Sequence, residues 1–307
     1  MKIAVMGAGG IGGFYGGLLA RAGQDVTFIA RGAHLQALRT QGLTVESQSA
    51  GDFKLPQVAA TDQPASIGPV DLVLMTTKAY DLEQAAQSLL PCLRPDSLVL
   101  PLLNGVDIAD RLAAVLGAER VLGGMCQVSC AIKAPGHIRQ VGPLNRLVFG
   151  ELGGGTSPRA QAVLAVFKSA GITADLSAGI QVDVWKKYLF IDAAGSLCAL
   201  TRSTLGPVLK DPDTRALFVG CMQEIEALGR RKGVALPDTV VADTLAMCGK
   251  LPHETRPSLL LSVEQGKPLE LDALSGTAVR LGRELGVPTP VNHLITSALK
   301  LHAAGRT

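Results

Sequence analysis

A glycine pattern near the start of the chain has the spacing that proteins use to bind phosphate groups. The segment Gly7-Ala8-Gly9-Gly10-Ile11-Gly12 follows an apolar run at residues 2–6 and leads into a helix-forming segment. In such a pattern the first glycine permits a tight turn, the second lets a pyrophosphate approach bare backbone, and the third allows a helix to pack closely on a strand. The helix N-terminus then offers its N–H groups to the phosphates. These six residues therefore predict a dinucleotide-binding loop.

The end of the predicted second strand distinguishes between two nucleotides. The predicted second strand covers residues 25–30 and is followed by Arg31, and no carboxylate follows before Glu46. Proteins that bind NAD usually place an acidic residue here, whereas an arginine accommodates the 2′-phosphate of NADP. A guanidinium can bind that phosphate through two charge-assisted hydrogen bonds. Arg31 therefore predicts NADPH as the cofactor, and the alternative is an exposed loop charge.

Two further polar residues follow strands of the predicted sheet. Lys78 comes shortly after the apolar run at residues 71–76, and Asn104 after the run at residues 97–100. Ligands of open α/β sheets bind beyond the carboxyl ends of the strands. We therefore expect Lys78 and Asn104 to contact the cofactor or the substrate, although either one alone would also fit a helix cap or a solvated loop.

Two adjacent lysines lie in an apolar helical segment of the second half, residues 181–190. Successive residues on an α-helix point about 100° apart, so at most one of Lys186 and Lys187 can face a cleft while the other meets water. A lysine against apolar walls can polarise a carbonyl group and donate a proton to it. The alternative is that both lysines are surface charges.

Strand and helix patterns alternate in the first half and give way to helical patterns alone from about Ser177. Short strands at residues 43–46 and 58–60 predict a hairpin between the larger elements. The fold class is therefore predicted to be α/β, with a Rossmann-type dinucleotide-binding domain at residues 1–177. An all-helical substrate and dimerisation domain is predicted at residues 178–307, with the site in the cleft between the two domains.

Composition excludes several classes of protein. The 307 residues are 47% hydrophobic and 18% charged, which is typical of globular domains and not of disordered chains. A formal net charge of +3 gives no reason to expect a nucleic-acid partner. Uninterrupted apolar stretches stay below the roughly eighteen residues that a membrane span needs. The six cysteines lack metal-ligand spacing, so we predict no metal, reduced thiols and a cytoplasmic protein.

Over essentially its whole length the chain resembles the ketopantoate reductase family, the 2-dehydropantoate 2-reductases. The ordered matches are Gly7-Ala8-Gly9-Gly10-Ile11-Gly12, Arg31, Thr77-Lys78-Ala79, Asn104-Gly105, Trp185-x-Lys187, Pro257-Ser258, Glu270 and Gly286-Val287-Pro288-Thr289-Pro290. This ordered set is far more specific than any one of its members. The resemblance implies an oxidoreductase that reduces 2-dehydropantoate to pantoate with NADPH, a step of pantothenate biosynthesis.

The resemblance also implies a role for each matching residue. Lys187, rather than Lys186, would be the catalytic acid, and Glu270 would orient its ammonium group and accept a hydrogen bond from a substrate hydroxyl. Ser258 would bind the carboxylate of the 2-oxo acid. Lys78 would contact the cofactor, and Asn104 would contact both cofactor and substrate.

The chain departs from the family pattern on the helix that carries the lysine. The family has asparagines four and eight residues after the lysine, where this chain has Ile191 and Gly195, and it has a third asparagine where this chain has Thr255. A site built to bind a hydroxyl group loses orders of magnitude in rate when that bond is removed. Two alternatives therefore stay open: a reductase of a different, more apolar 2-oxo acid or ketone, and a weakly catalytic NADP(H)-binding regulatory protein. Apolar helices in the second half are compatible with a homodimer.

Overall fold

The computed structural model describes residues 1–305 and consists of two compact units. The first unit comprises Met1–Leu103 and Ile108–Ile180, and the second comprises Asn104–Asp107 and the chain from Gln181 onward. The predicted fold class, a Rossmann-type α/β domain followed by an all-helical domain, is confirmed. The segment Asn104–Asp107, which the predicted boundary assigned to the first domain, belongs to the helical unit.

The strands are β1 (Lys2–Met6), β2 (Asp25–Ile29), β3 (Leu43–Ser47), β4 (Phe53–Leu55), β5 (Ala59–Thr61), β6 (Val70–Met75), β7 (Leu93–Pro101), β8 (Leu122–Ala134), β9 (His137–Glu151) and β10 (Thr173–Leu176). The helices are α1 (Gly10–Arg21), α2 (Gly32–Gln41), α3 (Leu82–Leu89), α4 (Ile108–Leu116), α5 (Pro158–Ser169), α6 (Ile180–Thr201), α7 (Leu205–Lys210), α8 (Pro212–Arg231), α9 (Val240–Cys248), α10 (Ser258–Glu264), α11 (Ser275–Leu285) and α12 (Pro290–Leu299).

The first sheet aligns the carboxyl ends of its central strands. Its order is β5-β2-β1-β6-β7, and every pair in it is parallel. Met6, the last residue of β1, lies opposite Ile29 of β2 and Met75 of β6, so the three strands end at one level. The apolar residues of β1 and β6 are buried on both faces, as the continuous hydrophobic sequence of parallel strands predicts. This register brings the residues that follow the three strands to the same edge.

The second sheet contradicts the predicted pairing of two short strands. Its order is β10-β9-β3-β4, with β8 paired to β9. The hairpin predicted between residues 43–46 and 58–60 is wrong: β3 pairs antiparallel with β4, whereas β5 joins the first sheet beside β2. Pro56 directly follows β4, and because proline has no N–H to donate, it ends the antiparallel ladder and separates the two segments.

The helical unit packs around α6. Every residue of α6 from Asp192 to Ala199 is buried, so this part of the helix is covered on all sides. Trp185 and Tyr188, also on α6, are buried with their ring centroids 6.1 Å apart in an edge-to-face arrangement. Val106 contributes to the same apolar core. Within residues 1–305, the helices are either too short or too polar to cross a membrane.

Candidate active site

The loop after β1 needs glycine at its first position. Gly7 has a φ of +99°, a conformation that residues with side chains rarely adopt. A Cβ atom at Gly7 would lie 2.9 Å from the backbone carbonyl of Thr76. The Thr76 hydroxyl donates hydrogen bonds to the carbonyl oxygens of Met6, at 3.1 Å, and Gly7, at 2.8 Å. The loop is thereby attached to the end of β6.

The other two glycines of the pattern serve different purposes. A Cβ atom at Gly12 would lie 2.2 Å from the carbonyl oxygen of Gly7 and 2.4 Å from the Thr76 hydroxyl, so Gly12 allows α1 to pack against the loop. A Cβ atom at Gly9 would have no neighbour within 4 Å. Gly9 precedes α1, whose first turn carries no acidic side chain. Bare backbone at a helix N-terminus thus faces open space, which is the geometry that a pyrophosphate requires.

The residues between these glycines support the loop. Ala8 is buried in the core of the first unit, and Ile11 packs against that core. A Cβ atom at Gly10 would lie 2.4 Å from the carbonyl oxygen of Cys130, so β8 approaches the start of α1 closely. The six predicted loop residues therefore form one turn that packs against the core of the first unit.

Alanine substitutions at Gly9 and Gly12 are expected to separate nucleotide binding from folding. Gly9→Ala leaves the unfolding free energy within about 1 kcal/mol of the native value, since the added methyl meets no protein atom. It is expected to weaken NADPH binding at least about tenfold, because the methyl occupies the phosphate position. Gly12→Ala destabilises the protein by about 1–3 kcal/mol or more through overpacking. Urea unfolding and fluorescence titration with NADPH measure the two effects, and unchanged NADPH affinity in Gly9→Ala would contradict the assignment.

Arg31 lies where β2 ends and α2 begins, with its side chain 71% exposed. Its Nη2 atom is 3.3 Å from the Oδ2 atom of Asp81. This carboxylate was not found from the sequence because it comes fifty residues later, with nothing in its spacing to relate it to β2. An exposed ion pair contributes little to stability, so the guanidinium can exchange Asp81 for a phosphate. Lys78 is exposed and follows β6 at the same edge of the sheet.

The structure brings Lys187 and Asn104 together. The Nζ atom of Lys187 donates a hydrogen bond of 2.9 Å to the Oδ1 atom of Asn104, and both residues belong to the helical unit. Lys187 is half-buried, whereas its neighbour Lys186 is exposed. The prediction that at most one of these two lysines faces inward is thereby confirmed. An ammonium group has three N–H donors, and donating one of them to an amide oxygen restricts the direction of the group.

The two predicted substrate contacts lie in segments that pack near α6. Ser258 is the exposed first residue of α10, and Glu270 is half-buried in the turn that leads to α11. A Cβ atom at Gly195 would lie 3.6 Å from the Cβ of Leu259 and 3.8 Å from the Cδ1 of Leu274. The residue after Ser258 and the residue four after Glu270 therefore flank α6 two turns beyond Lys187.

Sequence reasoning did not identify Asp192 as a buried carboxyl group. Its side chain is completely buried, where Ser196 donates a hydrogen bond of 2.8 Å to Oδ1 and Cys221 one of 3.6 Å to Oδ2. Burial, with repulsion from Glu224 adding to it, raises the pKa of the Asp192 carboxyl to about 7. The available signal was one acidic residue inside an otherwise apolar helical segment.

All six cysteines lie within the described residues, and none of them forms a disulfide bond. Burial raises the pKa of Cys221 well above its ordinary value. Among residues 1–305, His, Cys, Asp and Glu side chains form no group of three or more that could hold a metal ion.

Comparison with known proteins relates both halves of the chain to one family. The profile described as ketopantoate reductase PanE/ApbA matches residues 3–154, and its C-terminal counterpart matches residues 179–303. A 2-dehydropantoate 2-reductase of Mesorhizobium japonicum is 32% identical over 327 residues, covering 100% of this chain and 99% of that protein. The uncharacterized oxidoreductase YkpB of Bacillus subtilis is 30% identical over 304 residues, covering 99% of each chain. The crystal structure of a PanE/ApbA family ketopantoate reductase from Ralstonia eutropha has a TM-score of 0.90 at 33% identity, covering 99% of this chain and 98% of that one.

Proposed function

This chain belongs to the ketopantoate reductase PanE/ApbA family, and from that premise we propose that it uses NADPH to reduce a 2-oxo acid, for which 2-dehydropantoate is the first candidate. It is an oxidoreductase acting on a CH–OH group. The observation that carries the proposal is the half-buried Lys187 amine, held 2.9 Å from the Asn104 amide oxygen. An oriented ammonium group is the kind of donor that a carbonyl reduction needs where negative charge develops.

The proposed reaction assigns a role to three residues of the helical unit. NADPH, when bound, would supply the hydride that reduces the carbonyl carbon of the substrate. Lys187 stabilises the negative charge that develops on the carbonyl oxygen and gives that oxygen a proton. Ser258 donates a hydrogen bond to the substrate carboxylate. Glu270 orients the ammonium group and accepts a hydrogen bond from a substrate hydroxyl.

A more apolar substrate is the second candidate, and the face of α6 beyond Lys187 favours it. Ile191 and Gly195 follow the lysine at intervals of four residues and therefore share its face of the helix. Around Gly195 the neighbouring atoms belong to Leu259 and Leu274. Gly195 is buried against these leucines, so of the two positions only the half-buried Ile191 is partly exposed, and its apolar side chain favours a substrate with a hydrocarbon side chain over one with a hydroxyl.

Two substrates that differ by one hydroxyl group test the proposal and its alternative. 2-Dehydropantoate and 3,3-dimethyl-2-oxobutanoate share the 2-oxo acid and the branched carbon, and only the former has the hydroxyl. Loss of NADPH absorbance gives kcat/KM for each. A preference of at least about tenfold for 2-dehydropantoate supports it as the substrate, and a reversed preference supports the apolar candidate. If neither compound, nor a panel of other 2-oxo acids, is turned over, the proposed function is wrong.

Arg31→Ala is expected to reduce the preference for NADPH. Loss of a charge-assisted contact to the 2′-phosphate costs about 1.5–3 kcal/mol, which is about ten- to a hundredfold in KM for NADPH. KM for NADH should change little, because NADH lacks that phosphate. Asp81→Ala should shift the preference further toward NADPH by removing a carboxylate from beside the phosphate position.

Arg39→Ala is the matched control, since Arg39 lies in α2, is also an exposed arginine and also has an ion-pair partner, Asp62. We expect its KM values for both nucleotides to equal those of the native protein. An Arg31→Ala variant whose KM rose equally for NADPH and NADH would contradict the proposed contact between the guanidinium and the 2′-phosphate.

A further inference from the structure

The segment Asn104–Asp107 carries Asn104 and lies outside the helices and strands. β7 ends at Pro101 and α4 begins at Ile108, so the segment joins these two elements along the chain. Gly105 has a φ of +125°, which breaks any regular backbone structure at this point. The segment therefore depends on side-chain contacts to fix its conformation. One of these is Val106, which is buried in the core of the helical unit.

A second contact is an ion pair at the end of the segment. The Nη2 atom of Arg280, on α11, donates a hydrogen bond to the Oδ2 atom of Asp107. The Asp107 side chain is only 11% exposed, whereas that of Arg280 is 46% exposed. A carboxylate so far removed from water needs its cationic partner, and loss of one member of such a pair is more costly than loss of an exposed pair.

Arg280 also reaches the segment that carries Glu270. Its Nη2 atom donates a hydrogen bond of 3.1 Å to the hydroxyl of Thr277. That hydroxyl donates in turn to the carbonyl oxygen of Asp272, at 2.7 Å, two residues after Glu270. One guanidinium group thus connects the segment of Asn104 with the segment of Glu270.

We propose that Arg280 and Asp107 are positioning residues of the reductase, which hold Asn104 in place to orient the Lys187 amine. The proposal rests on the proposed function, because the direction of the amine matters only if the amine reacts. Misplacement of a catalytic group by about 1 Å can cost about a hundredfold in rate. Without Arg280, the Asp107 carboxylate loses the hydrogen bond from the guanidinium, and Asn104 is three residues away on the same short segment.

Arg280→Met removes the charge and keeps most of the length of the side chain. We expect kcat to fall at least about tenfold, with most of the activity recovered in Arg280→Lys. Asp107→Asn, which changes the other member of the ion pair, should lower kcat by a similar factor. Arg283→Met, which changes an exposed arginine of the same helix, should retain native kcat and serves as the control.

A double-mutant cycle distinguishes positioning from a general effect on the fold. If Arg280 acts through Asn104, Arg280→Met should lower kcat by less than about threefold in a protein that already carries Asn104→Ala. Independent, multiplicative losses would contradict the proposal. So would an equal loss of activity in Arg283→Met. Urea unfolding of each variant confirms that the measured protein is folded.

A spectroscopic measurement tests the positioning without any turnover. Reductive ¹³C-methylation labels the lysines, and Lys187→Arg identifies the NMR signal of Lys187. Arg280→Met and Asn104→Ala should both move this signal in the same direction, whereas Arg283→Met should leave it in place. An unmoved Lys187 signal in Arg280→Met overturns the positioning proposal. Absence of turnover on every 2-oxo acid, with the signal moved as expected, overturns the proposed function instead.

Discussion

Lys187→Met is expected to lower kcat by about a hundred- to a thousandfold, the usual effect of removing one preorganised donor from a developing oxyanion. Methionine preserves the apolar stem that packs in this half-buried position and removes the ammonium group with its hydrogen bond to Asn104. KM for NADPH should stay within about threefold of the native value, since Lys187 itself is not among the predicted nucleotide contacts. Steady-state kinetics with the better of the two matched 2-oxo acids measures both parameters.

Lys186→Met is the control for this variant. Lys186 is the neighbouring residue on α6, carries the same charge and is exposed, so its replacement should leave kcat unchanged. A Lys187→Met protein that kept more than about half of the native kcat would show that its amine is not the catalytic acid. Equal losses in the two variants would point to net charge rather than to a positioned group.

The unfolding free energy of the helical unit is expected to fall as pH rises from about 4 to about 7, because of Asp192. Burial raises the pKa of its carboxyl from an ordinary 3.8 to about 7, so within this range the folded protein retains a proton that the unfolded chain releases. The stabilisation is complete below the unfolded pKa and is lost as pH passes through the folded one. A shift of this size corresponds to about 4 kcal/mol.

Asp192→Asn should remove this dependence. The amide is neutral at every pH, and its carbonyl oxygen can still accept the hydrogen bond from Ser196. The variant should differ from the native protein by less than about 1 kcal/mol near pH 4 and be more stable by up to about 4 kcal/mol near pH 8.5. Trp185, the only tryptophan of the chain, is buried in the same unit and reports urea unfolding by its fluorescence.

Asp238→Asn controls for the general effect of removing a carboxylate from this unit. The Asp238 side chain is 98% exposed, and its replacement should change stability little at either pH. If Asp192→Asn is no more stable than the native protein near pH 8.5, the carboxyl is not held with a raised pKa.

The parts of the fold that could be predicted from sequence are those whose signals are local. The turn at Gly7 requires a backbone conformation that only glycine adopts readily, and the apolar run before it is typical of a buried parallel strand. Residues 58–60 were misassigned because an edge strand of three small residues carries no information about its partner. Its pairing with β2 is decided by tertiary packing. Pro56, after β4, separates this strand from the antiparallel β3–β4 pair.

The candidate site shows the same limit. Helical geometry alone separates Lys186 from Lys187, because the angle between successive side chains is fixed. The hydrogen bond between Lys187 and Asn104 joins residues 83 positions apart, and no spacing rule relates them. Asp107 and Arg280 are separated by 173 positions, and each alone has the sequence context of an ordinary surface charge. Such pairs are set by how helices pack, which a single sequence does not record.

Because four residues of the helical unit interrupt the chain of the first unit, no single cut divides this protein into its two halves. A fragment that stops at residue 180 would retain Val106 without the core in which it is buried. A fragment that starts at residue 181 would retain the amine and lose the amide oxygen that holds it. Chimeras that exchange the helical unit with that of a relative therefore need two further junctions, one before Asn104 and one after Asp107. The lysine amine and the asparagine that accepts its hydrogen bond then come from the same protein.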